Sequence, residues 1–137
     1  MSAALKPLAT ARGRTILYAE DDGDMRGHVA ESLRELGYRI DEAADGGQAI
    51  RLALKSVPDV IVMDVKLPIM DGIEVVRRVR ALGGEKRPYV IMMSGHIDAR
   101  TRQLAFEAGC NQYMVKPFTV EALAAAIESF FVKRDGR

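Results

Sequence analysis

The sequence predicts an α/β fold: an open, doubly wound parallel sheet of five strands with five helices. Two observations carry this. Short apolar runs alternate five times with segments of helical period, the pattern of buried parallel strands joined by crossover helices. Five such units are too few to close an eight-stranded barrel, so the sheet stays open, with right-handed crossovers.

The first strand is Ile16 to Ala19, stopped by Glu20-Asp21-Asp22. Met25, Val29, Leu33 and Leu36 then recur on one helical face, and Gly37 ends the helix. Tyr38 to Ala43 is the second strand. Asp45 caps the second helix, with Gln48 three residues on as in a capping box, and Ile50, Ala53 and Leu54 form its apolar face. Pro58 punctuates before the third strand, Asp59 to Met63. Gly72 opens a third helix that turns Val75, Val76, Val79 and Leu82 inward and stops at Gly83-Gly84.

Pro88 to Met93 is the fourth strand, closed by Ser94-Gly95. Asp98 caps the fourth helix, which runs to Ala108 and stops at Gly109. Its face of Leu104, Ala105 and Ala108 is weakly apolar, so this helix should be the least firmly docked. Tyr113 to Val115 is the fifth strand, cut by Pro117. Thr119 caps the fifth helix, with Leu123, Ile127 and Phe130 or Phe131 facing in.

A chain of 137 residues makes one ordinary domain with a core of its own. The net charge is +1, split unevenly: residues 1–14 carry +3 and residues 132–137 carry +2, which leaves −4 for residues 15–131. The body is mildly acidic, unlike a nucleic-acid footprint, which needs a dense basic patch. Residues 1–13 and 132–137 are expected to be frayed, flexible ends around a domain of residues 14–131. Cys110 is alone, so no internal disulfide forms, and it reads as a small apolar residue near the core. No stretch reaches membrane-span length and no secretory apolar region opens the chain. The expected location is the cytoplasm.

Ligands of open α/β sheets sit beyond the carboxyl ends of the strands. Standing there are Glu20, Asp21 and Asp22 after strand one, Asp64 after strand three, Ser94 after strand four and Lys116 after strand five. Neighbouring strands lie about 4.8 Å apart, so several carboxylates share a small volume and each disfavours ionisation of the others. A divalent cation resolves that conflict. The donors are hard oxygens, with no His or Cys among them, which favours Mg²⁺ or Mn²⁺ over Zn²⁺. A lysine and a hydroxyl on adjoining strand ends suit a phosphoryl group.

These segments resemble the receiver domain of two-component response regulators. "ILYAEDDGDMR" looks like that family's first strand and acidic pair, "VIVMDVKLPIMDG" like its phosphoacceptor segment, "IMMSG" like its strand-four hydroxyl, and "YMVKPF" like its aromatic and Lys-Pro pair. The resemblance spans about residues 14–131. It implies a flavodoxin-like fold with strand order 2-1-3-4-5 and a chemotaxis-regulator-like switch. It implies that Asp64 accepts phosphate from a sensor histidine kinase or a histidine phosphotransfer protein. Glu20, Asp21, Asp64 and the backbone carbonyl of Lys66 would hold Mg²⁺, Lys116 would pair with the phosphoryl oxygens, and Ser94 and Tyr113 would switch. The Lys116–Pro117 bond would be cis. A downstream protein would read the face of the fourth helix, fifth strand and fifth helix, with no direct nucleic-acid or membrane partner. The chain would catalyse only its own phosphorylation and dephosphorylation.

Glu20 stands where Asp is often found in the family, and Ser94 where Thr is commoner. Lys66 and His96 each follow a site residue by two positions and are expected to tune the lifetime of phospho-Asp64. With no output domain after residue 131, the reading is a receiver standing alone. The alternative is one excised from a hybrid histidine kinase or multidomain regulator. A haloacid-dehalogenase-like phosphatase would place its Asp pair directly after strand one. A flavin module would need a Ser/Thr/Gly-rich loop where acids stand. A docking-only relative would lack one of Glu20, Asp21, Asp64, Ser94 and Lys116, and all are present.

Overall fold

The structure, a computed structural model, describes residues 6–95 and 98–136. Five parallel strands are ordered 2-1-3-4-5: β1 Thr15–Ala19, β2 Arg39–Ala43, β3 Val60–Asp64, β4 Tyr89–Ser94 and β5 Gln112–Val115. Five α-helices connect and follow them: α1 Gly23–Glu35, α2 Gly46–Lys55, α3 Gly72–Leu82, α4 Ala99–Ala108 and α5 Val120–Gly136. The strand order matches the sequence expectation, with each strand within a residue or so of its expected bounds.

The two-residue period of the strands divides the core. Ile16, Tyr18, Val60, Val62, Ile91 and Met93 pack with α1 and α5, including Leu33, Leu123, Ile127 and Phe131. Leu17, Ala19, Ile61, Met63, Val90 and Met92 pack with α2, α3 and α4. Every residue of β3 is therefore buried, which explains its unbroken apolar run. Burial of each such large side chain contributes about 1.5–3 kcal/mol, and this anchors β3 between β1 and β4.

Local signals set the helix ends. Asp45 accepts from the Gln48 amide at 2.8 Å, and the Gln48 side chain accepts from the amide of Ala44 rather than from that of the cap residue itself. Gly109 ends α4 at φ 118°, a left-handed conformation suited to glycine. Thr119 Oγ1 accepts from the Ala122 amide at the start of α5. Helix α4 buries only Ala105 and Ala108, in keeping with its weak apolar face.

Some expectations need correction. Leu54 and Leu82 were expected to face inward, but both are exposed. Ala49 joins the expected Ala53 in burying the α2 face, and Leu82 is the last residue of α3, past the end of its packed stripe. The expected frayed ends also differ among the described residues. Ala9–Ala11 form a 3-10 turn with Ala11 fully buried, and the Leu8 amide donates to Leu36 O at 2.8 Å. Helix α5 continues to Gly136, where Arg14 pairs with Asp135. Apolar Leu8 and Ala11 and that charge pair draw the two ends onto the α1–α5 side.

Candidate functional site

Asp64 is the last residue of β3, while Glu20 and Lys116 each follow the last residue of β1 and β5. All three continue the alternation of Ile16 and Tyr18, Val60 and Val62, and Met114, on the α1–α5 side. The ladders extend one step past the strand ends and hold them. Glu20 N donates to Ala43 O at 3.0 Å, Val65 N to Met93 O at 2.9 Å, and Lys116 N to Ser94 O at 2.8 Å. The Lys116–Pro117 peptide is cis, as the resemblance implied.

Glu20, Asp21 and Asp64 each present a carboxylate oxygen, and the three atoms lie within 4.8 Å of one another. Glu20 and Asp64 are buried and Asp21 is exposed. The Lys116 ammonium donates to Glu20 Oε1 at 2.7 Å and to Asp64 Oδ2 at 2.5 Å. Burial, followed by the Asp64 charge, pushes the Glu20 carboxyl above its ordinary value despite the Lys116 hydrogen bond. For Lys116, burial alone would favour the neutral amine, but its bonds to Asp64 and Glu20 outweigh it and raise the pKa. The lysine is thus held charged between two carboxylates.

Of the acids after β1, Asp22 does different work. Its side chain accepts from the amides of Asp24 at 3.0 Å and Met25 at 3.2 Å and caps α1. Glu20 and Asp21 are left for the site. Sequence reasoning missed Arg26, whose Nη1 donates to Glu20 O at 2.7 Å while its Nε pairs with Glu42 at 3.4 Å. This braces the backbone that carries the acidic pair. The signal was slight: Arg26 is the first cation after the run Glu20 to Asp24.

The loop after Asp64 is tied down from both sides. Gly72 N donates to Val65 O at 2.8 Å, and Gly46 N to Pro68 O at 3.1 Å. A Cβ on Gly72 would strike the carbonyl oxygen of Asp64 and crowd Met92, so glycine lets α3 begin against the site. Ile69, exposed in this loop, has φ 72°. Lys66 has an exposed side chain and is flanked by buried Val65 and Leu67. Ser94 is buried at the end of β4. Tyr113 is half-buried, opposite Met92 in register, and packs on the α2–α4 side. His96 lies outside the described residues.

The donor chemistry fits a hard divalent cation: oxygens only, two of them buried, with a net excess of negative charge. Zinc would favour nitrogen or sulfur donors, which this cluster lacks.

Comparison with known proteins agrees with this geometry. The family model of the response regulator receiver domain matches residues 16–128. The chain is 34% identical over 119 residues to the transcriptional regulatory protein PrrA of Mycobacterium tuberculosis, covering 87% of this chain and 50% of that protein. It thus spans about half the length of such curated relatives. Among solved structures, the chemotaxis protein CheY4 of Vibrio cholerae is 31% identical with a TM-score of 0.79, over 85% of this chain and 97% of that one. The receiver domain of the sensor histidine kinase PA1611 of Pseudomonas aeruginosa, with magnesium coordinated in its active-site cleft, is 34% identical with a TM-score of 0.79, over 87% and 98%.

Proposed function

The chain belongs to the response regulator receiver domains, and from that premise we propose that it is a signalling switch phosphorylated on Asp64 by a histidine kinase or histidine phosphotransfer protein. The observation that carries this is the Lys116 ammonium, shared between Glu20 and Asp64 beside the oxygen cluster. A nucleophile, a counter-charge and a set of hard donors meet at one edge of the sheet.

In the proposed reaction a carboxylate oxygen of Asp64 attacks the phosphorus of a phosphohistidine. The P–N bond breaks, its electron pair stays on the imidazole nitrogen, and an acyl phosphate forms on Asp64. Lys116 balances the developing charge on the phosphoryl oxygens. Bound Mg²⁺ (or Mn²⁺), held by Glu20, Asp21, Asp64 and the Lys66 carbonyl, would neutralise phosphoryl charge. The PA1611 receiver, which carries magnesium in its cleft, supports that ligand choice. The chain's catalysis is confined to gain and loss of its own phosphoryl group.

Phosphorylation adds about −1.5 to −2 charge. Ser94 would donate its hydroxyl to a phosphoryl oxygen, and Tyr113, on the neighbouring strand, would follow. The α4, β5 and α5 face would then shift in population and present itself to a downstream protein.

Incubation with acetyl phosphate and Mg²⁺, followed by intact mass, tests the reading. One added phosphoryl group is expected on the wild type and none on Asp64→Asn. An unmodified wild type, or equal modification of the variant, overturns it. Lys66→Ala and His96→Ala are expected to change the decay rate of the phosphorylated form. Unchanged decay in both removes their tuning role.

A further inference from the structure

A second group of like charges stands at the opposite edge of the sheet, where β4 and β5 begin. A cleft of about 540 Å³ opens there, lined by Arg80, Arg87, Tyr89, Gly109, Asn111 and Phe130 among others, and no carboxylate lines it. Its volume falls within the range of small-molecule sites, about 300–1,000 Å³.

Arg80 is fixed in place. Its Nε and Nη2 donate to Gly109 O at 3.1 and 2.8 Å, and Nη2 also donates to Asn111 Oδ1 at 3.0 Å. Asn111 Oδ1 is itself anchored, accepting from the Val90 amide at 2.8 Å. A Cβ on Gly109 would stand 2.8 Å from Arg80 Cγ, so that glycine serves both the left-handed turn and the close approach of the arginine. All three acceptor contacts are neutral. Among the described residues, no carboxylate lies within ion-pair distance of either Arg80 or Arg87. Burial, and then the charge of Arg87, lowers the Arg80 pKa, which reflects two guanidiniums within electrostatic reach of each other.

The cleft continues past the Tyr89–Phe130 pair, whose rings stack at 4.4 Å, into a second of about 660 Å³ that adds Lys133 and Arg134 and again no acid. Arg134 is engaged with Asp59 and Asp135. Among the described residues, Arg80 and Arg87 line the first cleft with no carboxylate in ion-pair distance, and Lys133 adds a further unpaired cation to the second. Holding two cations together is unfavourable without an anion between them, and the planar guanidinium fork is matched to phosphate oxygens.

We propose that the cleft between Arg80 and Arg87 is an anion site for a phosphate-bearing small molecule, seated beside Tyr89 at the amino edge of the sheet. It stands apart from the chemistry at Asp64 and does not rest on it.

Inorganic pyrophosphate titrated into the whole chain without Mg²⁺ tests this, with the amide signals of Tyr89, Gly109 and Asn111 as readout. Saturable shifts at these positions are expected. Arg87→Ala, a change at an exposed side chain, should weaken binding by about fivefold or more, consistent with loss of a charge-assisted bond. Arg80→Lys keeps the charge but loses the hold on Gly109 O and Asn111 Oδ1 that fixes the cation in place, and should weaken it as well. Asp64→Asn should bind as the wild type does. No saturable shift, or equal affinity in Arg87→Ala, overturns the site. Sedimentation with phosphatidylglycerol vesicles separates a soluble ligand from a lipid headgroup. The protein should stay in the supernatant, and Arg87-dependent pelleting would overturn the small-molecule assignment.

Discussion

Glu20, Asp21 and Asp64 at the carboxyl edge and Arg80 and Arg87 at the amino edge are both groups of like charge, but among the described residues only the first has an internal counter-ion. Lys116 reaches two of the three acids from the end of β5, past the intervening end of β4. Arg80 meets only a backbone carbonyl and an amide oxygen. The backbones differ too. The carboxyl edge is laced by ladder extensions and by Gly72 packed under Asp64, whereas a Cβ on Gly84, in the turn leading to β4, would meet nothing within 4 Å. One end is a braced site in which a lysine offsets part of the acids' charge. The other is an open, charge-unbalanced cleft suited to binding.

The largest effect should come from removing the counter-ion. Lys116→Met is expected to lower the rate of Asp64 phosphorylation by acetyl phosphate by about 100-fold, the usual cost of losing one charge-stabilising donor. Arg80→Met should leave that rate within about twofold. Equal losses in the two variants, followed by intact mass over time, would erase the distinction between the ends. The glycines extend the contrast to stability. Gly72→Ala should cost about 1–3 kcal/mol, because the added methyl must displace the Asp64 backbone and Met92. Gly84→Ala, with open space around it, should change stability by under about 0.5 kcal/mol. Urea midpoints measure both.

The fold was legible because β3 and its neighbours are apolar on both faces and the caps Asp45, Asp98 and Thr119 stand where helices begin. The meeting of Glu20, Asp21, Asp64 and Lys116 was legible because strand ends in a parallel sheet must share an edge. Arg26 was not, because its role depends on a side chain folding back to a carbonyl six residues earlier. The Arg80 cleft was not, because Gly109 and Asn111 are far from Arg80 in sequence and reach it only through packing of α3 against α4. Leu8 and Ala11 were misread as tail residues because an apolar contact with α1 and α5 leaves no periodic pattern in so short a segment.

Two tyrosines should respond with opposite signs. Tyr18 is fully buried near the carboxyl edge, and among the described residues its hydroxyl has no hydrogen-bond partner. Burial and the nearby Glu20 and Asp64 charges push its pKa well up. An unsatisfied buried hydroxyl costs about 1–3 kcal/mol, so Tyr18→Phe should stabilise the protein by about 1 kcal/mol. Tyr89, at the amino edge, donates its hydroxyl to Gln112 Oε1 at 3.0 Å. Tyr89→Phe should destabilise by up to about 1 kcal/mol. Thermal or urea unfolding of the two variants side by side gives the signs, and a loss in both would refute the unsatisfied state of Tyr18.

A last prediction concerns Asp59, an acid that serves the amino edge. Asp59 accepts from Thr15 N at 2.9 Å and pairs with Lys86 at 3.3 Å and Arg134 at 3.5 Å. Burial opposes its charge, but these partners outweigh burial and hold its pKa below the ordinary value. A folded pKa below the unfolded value of about 3.9 means that the charged form is favoured by folding. Its contribution is complete above that value and disappears as pH falls through the lower, folded pKa. Asp59→Asn should therefore cost about 1 kcal/mol at pH 7, with the gap to wild type closing below about pH 4. Urea unfolding at pH 7 and again at pH 3 measures it. A gap at pH 3 as large as that at pH 7 would assign Asp59 a role in shape rather than charge.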